Sequence, residues 1–503
     1  MFKGLNILEI DLSKFDASQI TSTFEMFKDC SELTSIILSN SNTYNLNNIS
    51  SMFYNCSNLE TINFGNINTS LVENMKFLFC YCSKIISIDL SIFDTSKVIN
   101  MTHMFFYCKN LETINFGNIN TSSVENMNNF FGYCSNLNSI DLSKFDLSKV
   151  KSMYFMFYSC SNLETINFAN INTSSVENMR SLFNRCSKLS SINLSNFDTS
   201  HVTTFEYMFN KCYNLNYLDL SKFDLSRANN ISAMFFECSN LEIINFGNIN
   251  TSSLIDMEYL FYNCFKLISI DLSEFDTSQV TSMESLFYNC WNLETLIFGN
   301  INTSSVENIA KLFYGCSKII SIDLSKFDTS KVISMQSMFQ NCSNLEKINF
   351  GNINTSSVQN MAYLFPYCYK IKSIDLSKFD TSKITSMHSM FYNCLNLEEI
   401  NVGNINTSSV ENMRALFNNC SKLTSINLSN FDTSHVTTFQ LMFINCKKLK
   451  YLDLSNFKTL NLFNIAKMFY NCQTLIYINL YSFQFNYTIN ITNAFFGVPP
   501  NLI

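Results

Sequence analysis

The sequence predicts an α/β fold: a leucine-rich-repeat-like solenoid of about 19 coils, with parallel strands on one side and short helices on the other. Three observations predict it. Eighteen of the nineteen cysteines fall on one arithmetic series, from Cys30, Cys56 and Cys82 to Cys446 and Cys472, in steps of 26 residues without insertion or deletion. Ile140 and Leu142 alternate with Ser139, Asp141 and Ser143, the period of a short strand with one buried face. Val150, Met153, Met156, Phe157 and Cys160 then follow at the spacing of one face of a short helix.

Each element of the coil has its own signal. The strand is the period-2 segment just after the cysteine. A turn follows, marked at seventeen successive positions from Asp16 through Asn68, Asp94 and Asn120 to Asp432 by an Asp or Asn whose short acceptor side chain can bond turn amides. The helix start is read from Ser122 as N-cap with Glu125 three residues on, a capping box repeated at Ser70 and Glu73, Ser174 and Glu177, Ser304 and Glu307, and Ser408 and Glu411. Coils alternate between Asp-Leu-Ser-Lys-Phe-Asp (141–146) and Asn-Phe-Gly-Asn-Ile-Asn (115–120), so the larger repeat is 52 residues. No linker interrupts the register, which predicts one solenoid over 1–503: regular coils over 1–472 and a degenerate C-terminal capping coil over 473–503, where Val498 stands in the cysteine position and Phe483, Phe485, Tyr487, Phe495 and Phe496 crowd together. Met1 falls inside a coil, which raises the expectation of an upstream module.

Composition narrows the function. Hydrophobic residues at 47% with aromatics at 15% suffice for a continuous core, and disorder is not expected. A net charge of −7 without a basic cluster argues against nucleic-acid partners. No stretch reaches the roughly 20 apolar residues of a membrane span, and the first residues do not read as a signal peptide.

The cysteines invite a chemical role, but metal sites need converging ligands, whereas this spacing stacks one thiol per coil at roughly 4.8 Å. In-register Cβ atoms at that spacing miss the roughly 3.8 Å of a disulfide. Buried free thiols are expected, with Cys80, two residues out of register, as the one exposed exception. His103, His201, His388 and His435 lie in no zinc-protease pattern, and no serine-hydrolase elbow occurs. No catalytic, metal or cofactor-binding residue is assigned.

Two surfaces are candidates for partner binding. The outward strand position reads Asn63, Asp89, Asn115, Asp141, Asn167, Asp219, Asn245, Asp271, Asp323, Asn349 and Asp375, a polar and acidic face. Alternate asparagines hold its carboxylates roughly 10 Å apart, too far to share a calcium ion with bonds of about 2.4 Å. An aromatic band, Tyr54, Tyr158, Tyr262, Tyr288, Tyr314 and Tyr392, follows the buried phenylalanine. Tyrosine there offers contact area with a polar handle, or packing between coils.

Phe-Asp-Thr-Ser-Lys-Val at 93–98 and Met-Phe-Tyr-Asn-Cys at 52–56, repeated over about 1–498, resemble the BspA-like class of leucine-rich repeat surface proteins. The resemblance implies a curved solenoid, a surface or secreted location, and adhesion to host or partner molecules; it brings no catalytic residues. The expected function is a non-enzymatic surface or secreted binding protein with a protein or glycan partner. A passive structural or intracellular scaffold array is the alternative.

Overall fold

The computed structural model describes residues 1–40, 42–484 and 488–500; Phe485 and Tyr487 of the expected aromatic cap lie outside them. The chain forms two compact units, Met1–Leu254 and Ile255–Ile503. Each is a β-solenoid. The first holds nine three-residue strands, from Glu9–Asp11 to Ile243–Asn245, and the second eight, from Ser269–Asp271 to Tyr477–Asn479, counted among the described residues. Every strand pairing is parallel and in register one coil apart, as in Ser139↔Thr165, Ile140↔Ile166 and Asp141↔Asn167. The central strand residue points inward and its neighbours outward, as the alternation at 139–143 predicts.

The predicted helices are absent: no described residue lies in an α-helix, and the α/β leucine-rich-repeat class is corrected to an all-β solenoid. Backbone bonding around Cys56 shows what replaces the helix. The amides of Met52, Tyr54 and Cys56 close tight turns within the coil, onto the carbonyls of Ile49, Ser51 and Phe53 at 3.1–3.2 Å. The intervening amides of Ser51, Phe53 and Asn55 instead cross to Lys76, Leu78 and Cys80 of the next coil at 2.7–3.0 Å. A helix would spend every amide on its own i−4 carbonyl and leave none for the neighbour. Helices also pack 8–10 Å apart, twice the roughly 4.8 Å between strands, so in-register strands on one side favour flat turns on the other.

The pattern misleads because consecutive turns of three to four residues turn the same side chains inward as a helix of period 3.6. Two residues of each turn segment adopt left-handed backbone, Ser51 (φ 54°) and Asn55 (φ 60°) in this coil, Phe77 and Tyr81 in the next. Such a conformation costs a non-glycine residue roughly 1–2 kcal/mol. Complete burial of Met52 and Phe53, at about 1.5–3 kcal/mol each, offsets it. Since the left-handed positions accept Ser, Asn, Phe, Tyr and Lys, they leave no glycine signature.

The capping boxes are also corrected. Asn120 Oδ1 accepts the Ser122 amide at 3.0 Å and the Ser122 hydroxyl at 2.7 Å, an Asx turn. The Glu125 amide goes to Ile99 O of the preceding coil at 2.9 Å. Between them Thr121 is buried, and its hydroxyl both accepts from the Asp146 amide and donates to the Asp146 carbonyl at 2.8 Å. The same two-way link recurs at Thr69, Thr95, Thr173 and Thr199 in the first unit. It recurs at Thr277 and Thr433 in the second.

Inside, Phe53, Phe79 and Phe105 stack at 5.6–5.7 Å between centroids, and Phe287, Phe313 and Phe339 do the same in the second unit at 5.8–5.9 Å. All nineteen cysteines are free and buried. The series thiols act as donors: Cys56 Sγ lies 3.1 Å from Phe27 O, Cys82 Sγ 3.1 Å from Phe53 O, and Cys446 Sγ 3.2 Å from Phe417 O. A small apolar side chain with a weak donor suits a dry position beside a carbonyl with a free lone pair.

Past a three-stranded sheet of Glu9–Asp11, Ser35–Ile37 and Thr61–Asn63, the strands pair in twos. Ser87–Asp89 pairs with Thr113–Asn115, Ser139–Asp141 with Thr165–Asn167, and Ser321–Asp323 with Lys347–Asn349, each an Asp coil followed by an Asn coil. Gly117 makes the approach possible: its φ is +56°, and a Cβ there would stand 2.5 Å from Ser91 Cα. At the seam to the following Asp coil, Lys144 Nζ reaches back to Gly117 O at 2.9 Å.

The threonine link gives a direct test. Thr121→Val keeps the shape but leaves the part-buried Asp146 amide and carbonyl without their partner, and should cost about 1–3 kcal/mol in denaturant unfolding, whereas Thr121→Ser should retain most of the stability. Equal stability of Val and wild type would show that the link carries nothing.

Candidate binding surface

On the strand face Asn115, Asp141 and Asn167 are all exposed. Its side chains are partly committed to the coil. Asp89 Oδ1 accepts the Ser91 amide at 2.8 Å and Asn115 Nδ2 at 3.1 Å. Asn167 donates likewise to Asp141 at 3.0 Å, Asn245 to Asp219 at 3.2 Å, and Asn349 to Asp323 at 3.1 Å. The Ser91 hydroxyl and amide, and then the Asn115 amide, hold the Asp89 carboxyl below its ordinary range; Ser325 and Asn349 do so for Asp323. Asn63 bonds the Gly65 amide, and Asp375 that of Ser377. Asp271 faces Ile297 in place of an asparagine.

This ladder accounts for the alternation of coil types. Identical aspartates on successive coils would set like charges side by side, which is unfavourable. An asparagine between them supplies a donor instead. Among the described residues no group of three or more His, Cys, Asp or Glu is placed to hold a metal ion.

The aromatic band lies half-buried on the turn side. Tyr262, Tyr288 and Tyr314 form a stacked column with centroids 4.4 and 4.3 Å apart. Burial and the flanking tyrosines push the Tyr288 hydroxyl up. Tyr54 meets Tyr81 edge-on at 5.8 Å, Tyr158 meets Tyr133 at 5.1 Å, and Tyr392 meets Tyr367 at 5.4 Å. These rings pack coil to coil and remain half-buried.

The histidines divide into two kinds. His103 sits between Phe77 and Phe106, and burial, aided by Lys76, brings its imidazole down to about 4. Burial and Arg414 lower His388. His201 and His435 are exposed beside Ser200 and Ser434.

Sequence reasoning missed three concave sites. A cleft of about 300 Å³ opens at the seam beside Ile297, lined also by Asp323 and Lys326. A groove of about 380 Å³ opens where Gln340 and Pro366 interrupt the tyrosine column, bordered by Tyr363, Tyr367, His388 and Arg414. A third, of about 390 Å³, gathers Lys109, Arg185 and Lys211 around Tyr133 and Tyr213 in the first unit. The available signal was departure from consensus beside the cysteines, where Lys or Arg replaces Ser, Asn or Tyr. Burial raises the thiols of Cys82, Cys108 and Cys134, and that of Cys80 to about 12; Cys80 is buried rather than exposed as the register break suggests.

The family model of DUF285, "Mycoplasma protein of unknown function", matches residues 1–93, 74–171, 159–269, 231–321, 256–373, 318–401 and 385–500, and the chain belongs to that family. No curated protein matches. Among solved structures, a leucine-rich repeat protein of Bacteroides ovatus is 18% identical, with 85% of this chain and 87% of that one covered and a TM-score of 0.37. A leucine rich cell surface protein of Faecalibacterium prausnitzii is 16% identical over 84% and 87%, with a TM-score of 0.28. A leucine-rich repeat protein of Leptospira interrogans is 13% identical over 89% and 90%, with a TM-score of 0.23. These likenesses are distant and assign no function. Among the described residues no helix is long and apolar enough to cross a membrane.

Thiol labelling checks the burial. The native protein should leave all nineteen cysteines unmodified, Cys80 included, and denaturant should release all of them; rapid labelling of one thiol in native buffer would place Cys80 at the surface.

Proposed function

We propose that this DUF285 member is a non-enzymatic binding or adhesion protein, at the cell surface or secreted, that offers a long repeated surface to a protein or glycan partner. One observation carries the reading: outward residues such as Asp89 and Asn115, or Asp141 and Asn167, stand in strict register one coil apart. A given outward position therefore recurs at roughly 4.8 Å, so a repetitive partner meets many similar weak contacts, and avidity takes the place of a deep pocket. The resemblance to BspA-like repeats in Phe93–Val98 and Met52–Cys56 supports the same reading and the surface location.

Internal deletion of whole Asp–Asn coil pairs tests it, because each deletion leaves the stacking register intact. Retention of cells or extracellular matrix on a surface coated with the protein should weaken stepwise as pairs are removed. Abrupt loss on substitution of one residue would point to a discrete site, and no retention by the full-length chain would favour a passive scaffold.

A further inference from the structure

We infer that the groove holding Lys109, Arg185 and Lys211 is a binding site for an acidic carbohydrate, a sugar chain bearing carboxylates. The inference rests on the binding reading above and names a ligand class within it.

Three observations carry it. The first is positive charge that is only partly compensated. The chain is acidic overall, at −7, yet three cations meet in one groove of about 390 Å³ in the first unit. Lys109 follows a cysteine directly, and Arg185 and Lys211 directly precede one. Lys109 Nζ lies 4.3 Å from the Tyr107 ring centre, and the Arg185 guanidinium 6.0 Å from that of Tyr158. Neither has a carboxylate within salt-bridge distance among the described residues, whereas Lys211 is paired with Glu237 at 3.5 Å. Glu112 and Glu164, on the coils of Lys109 and Ser161, flank the strands Thr113–Asn115 and Thr165–Asn167 and do not line the groove.

The second is the direction of the serine hydroxyls on the groove floor. Ser135 donates to Lys109 O at 3.2 Å, Ser161 to Ser135 O at 3.5 Å, and Ser187 to Ser161 O at 3.0 Å. Their protons turn toward the neighbouring coil, which leaves the oxygen lone pairs as acceptors. A ligand that satisfies both sets of groups must bring anions for the cations and hydroxyl donors for the serines. A sugar acid brings both. A phosphodiester chain offers the serines only acceptors.

The third is the pair of rings at the rim. Tyr133 is half-buried and Tyr213 is 38% exposed. An apolar ring with a polar tip suits the C–H face and hydroxyls of a sugar. Tyr213 is held in place by its hydroxyl, which donates to Glu237 Oε2 at 3.3 Å.

The test uses the full-length chain and fluorescence anisotropy with three labelled probes: an oligogalacturonate, its carboxyl-reduced neutral counterpart, and a single-stranded oligonucleotide of equal length. Saturable binding of the oligogalacturonate that weakens with added salt is expected, with far weaker binding of the other two. Lys109→Gln and Arg185→Gln should each weaken it roughly tenfold or more, as for loss of a charged hydrogen-bond partner, while Lys331→Gln in the second unit should leave it unchanged. All three side chains are exposed, so an unaltered unfolding midpoint separates loss of binding from loss of fold. Equal binding of the neutral sugar or the oligonucleotide, or unaltered affinity in both groove variants, overturns the inference. If the oligogalacturonate fails while the coated protein still retains cells or matrix, the sugar-acid assignment falls and the binding reading stands.

Discussion

The division of backbone amides between the coil and its neighbour is the constraint on which the rest of each unit depends. Along Ile49–Cys56, amides alternate between closing a turn and crossing to the next coil. The crossing bonds fix the coil separation at strand distance on the turn side as well as on the strand side. Every side chain is then stacked on the residue 26 positions away, and the composition of the repeat follows from which residues tolerate a copy of themselves at that distance.

Neutral side chains tolerate it well. Phenylalanines form offset stacks at 5.6–5.7 Å, threonine hydroxyls link one coil to the next, and thiols donate to the carbonyl of the coil before. Carboxylates tolerate it poorly, and the Asp–Asn alternation of the strand face resolves the conflict by making every second residue a donor. The alternation brings with it Gly117, set against Ser91, and a lysine such as Lys144 that spans the seam between pairs. The 52-residue repeat is therefore a physical unit. The concave sites arise where the register of residue types lapses, at Ile297, at Pro366, and beside the cysteines at Lys109 and Arg185.

Much of this was legible in the sequence. The 26-residue period fixed the stacking, the alternation at Ser139–Ser143 marked the strand, and the single thiol per coil argued for buried free cysteines. The turn segment was not legible, because Val150, Met153, Met156, Phe157 and Cys160 meet a helical period and a succession of tight turns equally well. What separates the two is left-handed backbone at residues such as Phe155 and Ser159, where no glycine marks it. Cys80 misled because being out of register suggested exposure, whereas the turn buries it. The donor–acceptor pairing along the strand face and the stacking along the aromatic band depend on distances that a one-dimensional pattern does not carry. The groove cations escaped notice because they are far apart in sequence and meet only after stacking.

Far-ultraviolet circular dichroism of the full-length protein tests the central claim most directly, because the two readings of the Val–Met–Phe segment differ in helix content in every coil. The alternating amide scheme predicts a spectrum of strand and turn with no helical minima. A spectrum with helical minima strong enough to account for one short helix per coil would contradict it.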